Sequence, residues 1–130
     1  MEQVYEFLKK CGTFYLATVE GDQPRVRPFG VVDIIENKLY IQTAKSKKVS
    51  HQISANPKVE ICGMAEGKWI RIEAKAIEDD RLEAREHFLE ANPRLKARYS
   101  ADDDNCEVLY LKDAIATISS YTAPPEIINF

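Results

Sequence analysis

The chain has 130 residues, of which 45% are hydrophobic and 30% charged, and its formal net charge is −3. This composition is typical of a soluble globular chain with one domain, residues 1–130, and excludes a disordered or membrane protein. The weak negative charge provides no attraction for a nucleic acid. No signal peptide is predicted, and three scattered cysteines argue against a disulfide framework, so we expect a cytoplasmic protein.

Alternating and helical hydrophobic patterns divide the whole chain into short elements. In chain order the predicted elements are helix Glu2–Lys10; strands Thr13–Glu20, Arg25–Glu36 and Leu39–Thr43; helix Ser46–Asn56; strands Lys58–Met64 and Lys68–Glu78; helices Asp80–Ala91 and Pro93–Tyr99; and strands Glu107–Leu111 and Ala116–Tyr121. Asp102–Asn105 reads as a flexible acidic loop, without the glycine and distal glutamate of a calcium loop. The helix over Asp80–Ala91 is expected to start at an acidic cap.

Seven short strands joined by hairpins, with one helix inserted after the third, predict a mainly antiparallel β-barrel with flanking helices. No β-α-β alternation runs through the chain, which argues against a doubly wound dinucleotide fold. The first strand has apolar residues on both faces, with Phe14 and Leu16 on one and Tyr15 and Val19 on the other. Both faces therefore need to be buried, which favours association of two chains.

A lysine-rich segment, Lys45-Ser46-Lys47-Lys48, lies between the third strand and the second predicted helix. Ser46 is a good N-cap residue, which places two lysines in the first helical turn against the positive end of the helix dipole. Backbone amides, a hydroxyl and two ammonium groups that converge on one point can bind a phosphate. The alternative is a solvated surface cluster. The glycine-rich motifs of nucleotide triphosphate and Rossmann sites are absent.

Three other residues, Trp69, His51 and His87, have side chains that could take part in binding or chemistry. Trp69 shares one face of its strand with the charged residues Arg71, Glu73 and Lys75, which is typical of an interface or a ligand platform, although the ring could also cover one end of a barrel. His51 and His87 are not spaced with carboxylates or cysteines as a metal site requires. We therefore predict no metal site and assign no catalytic residue.

The segment from Leu39 to Pro57 (LYIQTAKSKKVSHQISANP) resembles the core of the pyridoxamine 5′-phosphate oxidase-like, FMN-binding split-barrel superfamily. In that family a strand ends in a polar residue, a Ser-Arg/Lys-Lys triplet opens a helix, and the helix closes on Asn-Pro. The segments Pro24–Pro28 and Trp69–Ala76 are similar to two further strands of the family. The likeness covers nearly the whole chain and implies a six- to seven-stranded Greek-key split barrel.

The resemblance implies an FMN site and its residues. Lys47 and Lys48, with Ser46, would bind the phosphate, and the strand-end residues Ile41, Gln42 and Thr43 would line the ribityl and phosphate end. Arg27, Pro28 and Phe29 would lie beside the isoalloxazine ring. Family members are typically homodimers with FMN between the subunits, and Trp69 would reach the flavin of the partner.

The resemblance also implies an oxidoreductase that passes hydride from NAD(P)H through FMN to a small acceptor. The C-terminal segment with a Trp and an Arg that completes the substrate site of pyridoxamine phosphate oxidase is absent, so that activity is not expected. The chain is more similar to the small general-stress and nitroimidazole-reductase-like members. A flavin-binding or electron-transfer module without a substrate stays open, as does a variant that binds deazaflavin F420 or haem.

Overall fold

The computed structural model describes residues 1–130, which form one antiparallel sheet of eight strands with three α-helices and a 3₁₀ turn. The helices are α1 (Glu2–Cys11), α2 (Lys48–Ala55) and α3 (Leu82–Ala91), and the 3₁₀ turn covers Pro93–Ala97. The strands are β1 (Phe14–Glu20), β2 (Gln23–Phe29), β3 (Val32–Ile35), β4 (Lys38–Ala44), β5 (Lys58–Ala65), β6 (Lys68–Glu78), β7 (Cys106–Ser119) and β8 (Glu126–Asn129). None of the helices has the length and hydrophobicity needed to span a bilayer.

The strand order explains why the sheet is rolled up. The order is β2-β1-β5-β6-β7-β4-β3, with β8 paired to the second half of β7. The two edge strands, β2 and β3, are consecutive in the chain and are joined only by Gly30 and Val31. A connection of three Cα–Cα steps spans at most about 11 Å. The two edges must therefore meet at this point, although β2 and β3 form no ladder with each other.

The core has two parts, one inside the rolled sheet and one outside it. The larger part fills the interior and includes Val4 and Leu8 of α1 and Val49 and Ile53 of α2. The smaller part lies between α3 and the outer side of β4 and β7, around Phe88. No helix covers the outer side of β1, β2, β5 and β6, where large apolar side chains are exposed.

The fold class predicted from the sequence is confirmed: the chain is mainly antiparallel β, with an open sheet of the split-barrel type and flanking helices. The predicted strand over Arg25–Glu36 was wrong as one element, because the chain leaves one sheet edge after Phe29 and joins the other at Val32.

The C-terminal strands also differ from the prediction. The segments Glu107–Leu111 and Ala116–Tyr121 belong to one strand, β7, because a bulge at Asp113 absorbs an extra residue while the ladder with β6 continues. Asp113 has a φ of 52° there, a left-handed conformation that is common in turns. The eighth strand, β8, was not predicted.

A carboxylate network ties the end of β6 to β4. Asp79 is only 9% exposed and accepts the Tyr40 hydroxyl at 2.7 Å and two guanidinium N–H groups of Arg81 at 2.8 and 2.9 Å. The Arg81 side chain also pairs with the exposed Glu36 at 2.9 Å. Hydrogen bonds from Arg81, followed by the bond from Tyr40, hold the pKa of Asp79 well below the ordinary aspartic acid range.

We expect Asp79→Asn to lower the free energy of unfolding by about 2–3 kcal/mol at neutral pH, because the charge-assisted hydrogen bonds from Arg81 are lost. Since the folded-state pKa of Asp79 is depressed, the wild-type advantage is present above the unfolded pKa of about 3.9 and is lost as pH falls. Urea unfolding across that range measures both effects. Glu36→Gln, at the exposed partner, is the control and should change stability little. An equal difference between Asp79→Asn and wild type at all pH values would contradict this account.

Candidate functional site

The turn before α2 is fixed by a short loop that precedes β7. Asn105 accepts the Lys45 amide on its backbone oxygen at 2.7 Å and the Ser46 amide on Oδ1 at 3.0 Å. Asp103 in turn accepts the amides of Asn105 and Cys106 at 2.8 and 2.7 Å. The loop over 102–105, which the sequence predicts to be flexible and acidic, is therefore a hydrogen-bonded turn. It positions the residues that lead into α2.

Helix α2 begins at Lys48, with Lys47 as its N-cap residue and no side-chain capping bond. The prediction of Ser46 as the N-cap was wrong by one residue, because the Ser46 amide is used by Asn105 and the residue lies in the preceding turn. The acidic cap predicted for α3 was likewise wrong, since Arg81 occupies that position. The amides of Lys47 and Ser50 donate to the carbonyls of Ala44 and Lys47, and the amides of Lys48 and Val49 are left without an acceptor beside two lysines.

The charges around this helix start are unevenly compensated. Arg25 pairs with Glu20 at 3.0 Å and Lys45 pairs with Glu78 at 3.2 Å. No carboxylate lies within 4.0 Å of the charged groups of Arg27, Lys47 or Lys48. These three uncompensated cations are the strongest indication of an anion site.

Arg27 is held by a network of neutral hydrogen-bond acceptors. Its guanidinium donates to the Leu16 carbonyl at 3.1 Å, to Thr18 Oγ1 at 2.8 Å and to Gln52 Oε1 at 2.6 Å. Thr18 also donates to Gln52 Oε1 at 2.6 Å, and both of these side chains are buried. Burial, with a smaller effect of the nearby Arg25 charge, lowers the pKa of Arg27. The network therefore orients a cation without neutralising it.

Two adjoining clefts lie along the uncompensated cations. The first has a volume of about 370 Å³ and is lined by Glu20 of β1, by side chains of β2 and by the first turns of α2, including Lys47 and Lys48. The second, of about 300 Å³, lies where β2 gives way to β3 and extends to β4 and to Arg98 and Tyr99 after the 3₁₀ turn. Arg27, Lys47 and Val49 line both clefts, so the two are adjacent, and together they are called the groove below.

The structure brings seven of the ten predicted site residues to this groove: Arg27, Pro28, Phe29, Gln42, Thr43, Lys47 and Lys48. The other three lie outside it. The Ile41 side chain is fully buried in the interior core. Ser46 is exposed in the turn before α2, and Trp69 lies on β6, where its ring is 5.0 Å from that of Tyr121.

Comparison with known proteins identifies the family. The family described as pyridoxamine 5′-phosphate oxidase matches residues 1–118 of the chain. The chain belongs to this family. This is the family that the sequence resemblance predicted. No curated protein sequence matches the chain.

Solved structures support the same assignment. A NimC/NimA family protein from Clostridium acetobutylicum is 50% identical, with a TM-score of 0.96 over 100% of this chain and 93% of that one. General Stress Protein 26 from Bacillus anthracis str. Sterne is 20% identical, with a TM-score of 0.78 over 99% and 97%. A pyridoxamine 5′-phosphate oxidase-related, FMN-binding protein from Nostoc punctiforme is 15% identical, with a TM-score of 0.67 over 99% and 95%. The last two show a shared fold.

Sequence reasoning missed four residues that shape the groove. Thr18 and Gln52 orient Arg27, and Arg98 and Tyr99 form the far wall. The buried Thr18 follows the apolar pattern of the inner face of β1, which was a signal that its hydroxyl needed a partner. Arg98 and Tyr99 come from a segment distant in sequence, and no local pattern connects them to β2.

Proposed function

We propose that this member of the family is a flavoprotein that binds FMN in the groove beside α2. The observation that carries the proposal is the set of three cations, Arg27, Lys47 and Lys48, that have no carboxylate partner at an uncapped helix start. A phosphate dianion is the complementary ligand, because charge-assisted hydrogen bonds to phosphate are among the strong ones in proteins. The family membership and the FMN-binding relative support a flavin mononucleotide as its carrier.

The flat ring of the flavin would lie along β2, beside Arg27, Pro28 and Phe29. Because β2 is an edge strand, one side of its backbone is free to contact a ligand. A proline inside a strand is tolerated at such an edge. Neither His51 nor His87 lines either cleft, so the groove offers no histidine to a haem iron. A groove lining without histidine favours FMN over haem. Titration with F420 compares the remaining alternative with FMN.

A bound FMN would supply hydride and single-electron transfer, and the chain would supply binding and orientation. Lys47 and Lys48 would hold the phosphate, and the Thr18 and Gln52 side chains would keep Arg27 directed into the groove. We assign an oxidoreductase that takes hydride from a nicotinamide and passes it to a small acceptor. No residue of the groove is assigned a catalytic role.

The competing function is a flavin-binding or electron-transfer module without its own substrate. One observation favours it: no histidine, cysteine or aspartate lines either cleft, so few groups there could donate or accept a proton near neutral pH. Besides lysine and arginine, the ionisable side chains of the lining are the Tyr99 phenol and the Glu20 carboxylate. Both functions share the same flavin site, and only turnover separates them. The three free cysteines agree with the cytoplasmic location proposed for either function.

A second copy of the chain would complete the site. The uncovered outer face of β1, β2 and β5 exposes Tyr15, Val26 and Met64 to 50%, 67% and 66%. Met64 pairs with Trp69 on β6, so the aromatic pair of Trp69 and Tyr121 continues this face. Clefts of 300–370 Å³ are at the small end for a ligand site. We propose a homodimer in which this face is buried and Trp69 lies near the flavin of the partner.

Lys48→Ala should weaken FMN binding by at least tenfold, equivalent to 1.4 kcal/mol, because one charge-assisted contact to the phosphate is lost. Riboflavin lacks the phosphate, so its affinity should stay within about twofold of wild type. Fluorescence titration of both flavins, and of F420, measures these affinities. Lys112→Ala, at an exposed lysine of β7, is the matched control. An FMN affinity within about twofold of wild type in Lys48→Ala would contradict the phosphate assignment.

Anaerobic NADH or NADPH should bleach the visible absorption of the FMN-bound protein if the chain is an oxidoreductase. Subsequent addition of a nitroaromatic compound or a quinone should restore the oxidised spectrum faster than the same addition to free reduced FMN. The measurement is stopped-flow absorbance. A protein that binds FMN but is not bleached by either nicotinamide would be a binding module instead.

Met64→Glu should convert a dimer into a monomer, because it places a charge in the centre of the proposed apolar interface. Light scattering coupled to gel filtration gives the mass, and FMN affinity should fall together with dimerisation. Leu82→Glu, at an exposed apolar residue of α3, is the control and should leave both unchanged. A wild-type chain that is monomeric when saturated with FMN would overturn the proposed dimer.

A further inference from the structure

A cavity of about 480 Å³ lies on the opposite side of α2 from the flavin groove and shares no lining residue with it. Its wall is formed by α2, the end of β6 and the start of β7. The polar side chains that line it are Lys45, Ser50, His51, Ser54, Glu78 and Glu107. Helix α2 therefore separates two sites of different character, and the second is independent of the proposed flavin.

Glu107 is the unusual group of this cavity. The residue is only 6% exposed, and its Oε1 atom is buried without any hydrogen-bond partner. Buried side-chain oxygens in folded proteins almost always have a partner, and an unpaired one in a native fold needs an explanation. Burial, with a smaller effect of the Glu78 charge, raises the pKa of Glu107, while Ser50 and Lys45 oppose the rise. Glu107 thus lines the cavity with a buried carboxyl group, one oxygen of which has no hydrogen-bond partner.

The charged side chains that line the cavity indicate which charge a complementary ligand would carry. The Lys45 ammonium group is 3.2 Å from a Glu78 carboxylate oxygen, so these two charges neutralise each other. No cation lies within 4.0 Å of Glu107, so the cavity carries one excess negative charge when this carboxyl group is ionised. A single positive charge with N–H donors would complement the ionised carboxylate and offset the cost of its burial.

The shape and the donor set favour an organic cation over a metal ion. No group of three or more His, Cys, Asp or Glu side chains is placed to hold a metal ion. Apolar side chains of Ile53, Ala76 and Leu109 line the same cavity and suit a hydrocarbon body. The volume lies within the range of small-molecule sites.

We propose that this cavity binds a small organic monocation of the amine, amidine or guanidine class, whose N–H groups donate to the Glu107 carboxylate. Lys45 and Glu78 form the charged rim, and the apolar side chains contact the body of the ligand.

The test uses FMN-saturated wild-type protein titrated with benzamidine and, separately, with benzamide, which has nearly the same shape and no charge. Two-dimensional ¹H–¹⁵N NMR follows the backbone amides of Ser50, His51, Ser54 and Ile77. We expect saturable shifts at these amides with benzamidine and at least tenfold weaker binding of benzamide. Equal affinities, shifts confined to other parts of the chain, or no saturable shift with benzamidine would overturn the proposal.

Glu107→Gln preserves the side-chain volume and removes the charge, and we expect it to weaken benzamidine binding by at least tenfold. Glu86→Gln, at an exposed residue of α3, is the matched control and should bind within about twofold of wild type. Unchanged binding by Glu107→Gln would overturn the proposal. If that variant does not fold, the wild-type comparison of benzamidine with benzamide decides alone. Because the readout is local to this cavity, failure of the FMN proposal would leave the result interpretable.

Discussion

The two-residue connection between β2 and β3 is the constraint on which the rest of the structure depends. Gly30 and Val31 join strands at opposite edges of the sheet, so the sheet must roll until those edges meet. The edges meet without pairing, and the backbone of β2 stays available along the opening. The groove that holds Arg27 and Lys47 lies at this opening. A closed barrel would have satisfied these backbone groups and left no edge for a ligand.

Helix α2 separates two clefts with different linings. The side with Lys48 and Gln52 faces the groove, and the side with Ser50 and Ser54 faces the cavity that Glu78 and Glu107 line. The lysine start of this helix is unfavourable by itself, since cations oppose the positive end of the helix dipole. The arrangement costs stability that an anion would restore, and tertiary packing of Val49 and Ile53 keeps the helix in place.

The sequence predicted most of this fold because the hydrophobic patterns are local. Strands β5 and β6 were predicted within one residue, since alternation and a Glu-Gly turn define them. The break at Gly30 and the continuity of β7 through Asp113 could not be predicted in the same way, because both depend on which strand lies alongside. The predicted residues that line the groove come from contiguous sequence motifs. Arg98 and Tyr99, and the support of Arg27 by Gln52, depend on contacts between distant segments.

The same difference between local sequence pattern and tertiary placement explains which of the basic residues near α2 have a carboxylate partner. By residue type alone, nothing distinguishes the five cations Arg25, Arg27, Lys45, Lys47 and Lys48. In the fold, Arg25 and Lys45 have carboxylate partners, and the other three do not. An exposed ion pair contributes little to stability, so neither compensated pair is needed to hold the fold. The cations that stay without a carboxylate all line the groove, and on the far side of α2 the buried Glu107 carboxyl group has an oxygen without a hydrogen-bond partner.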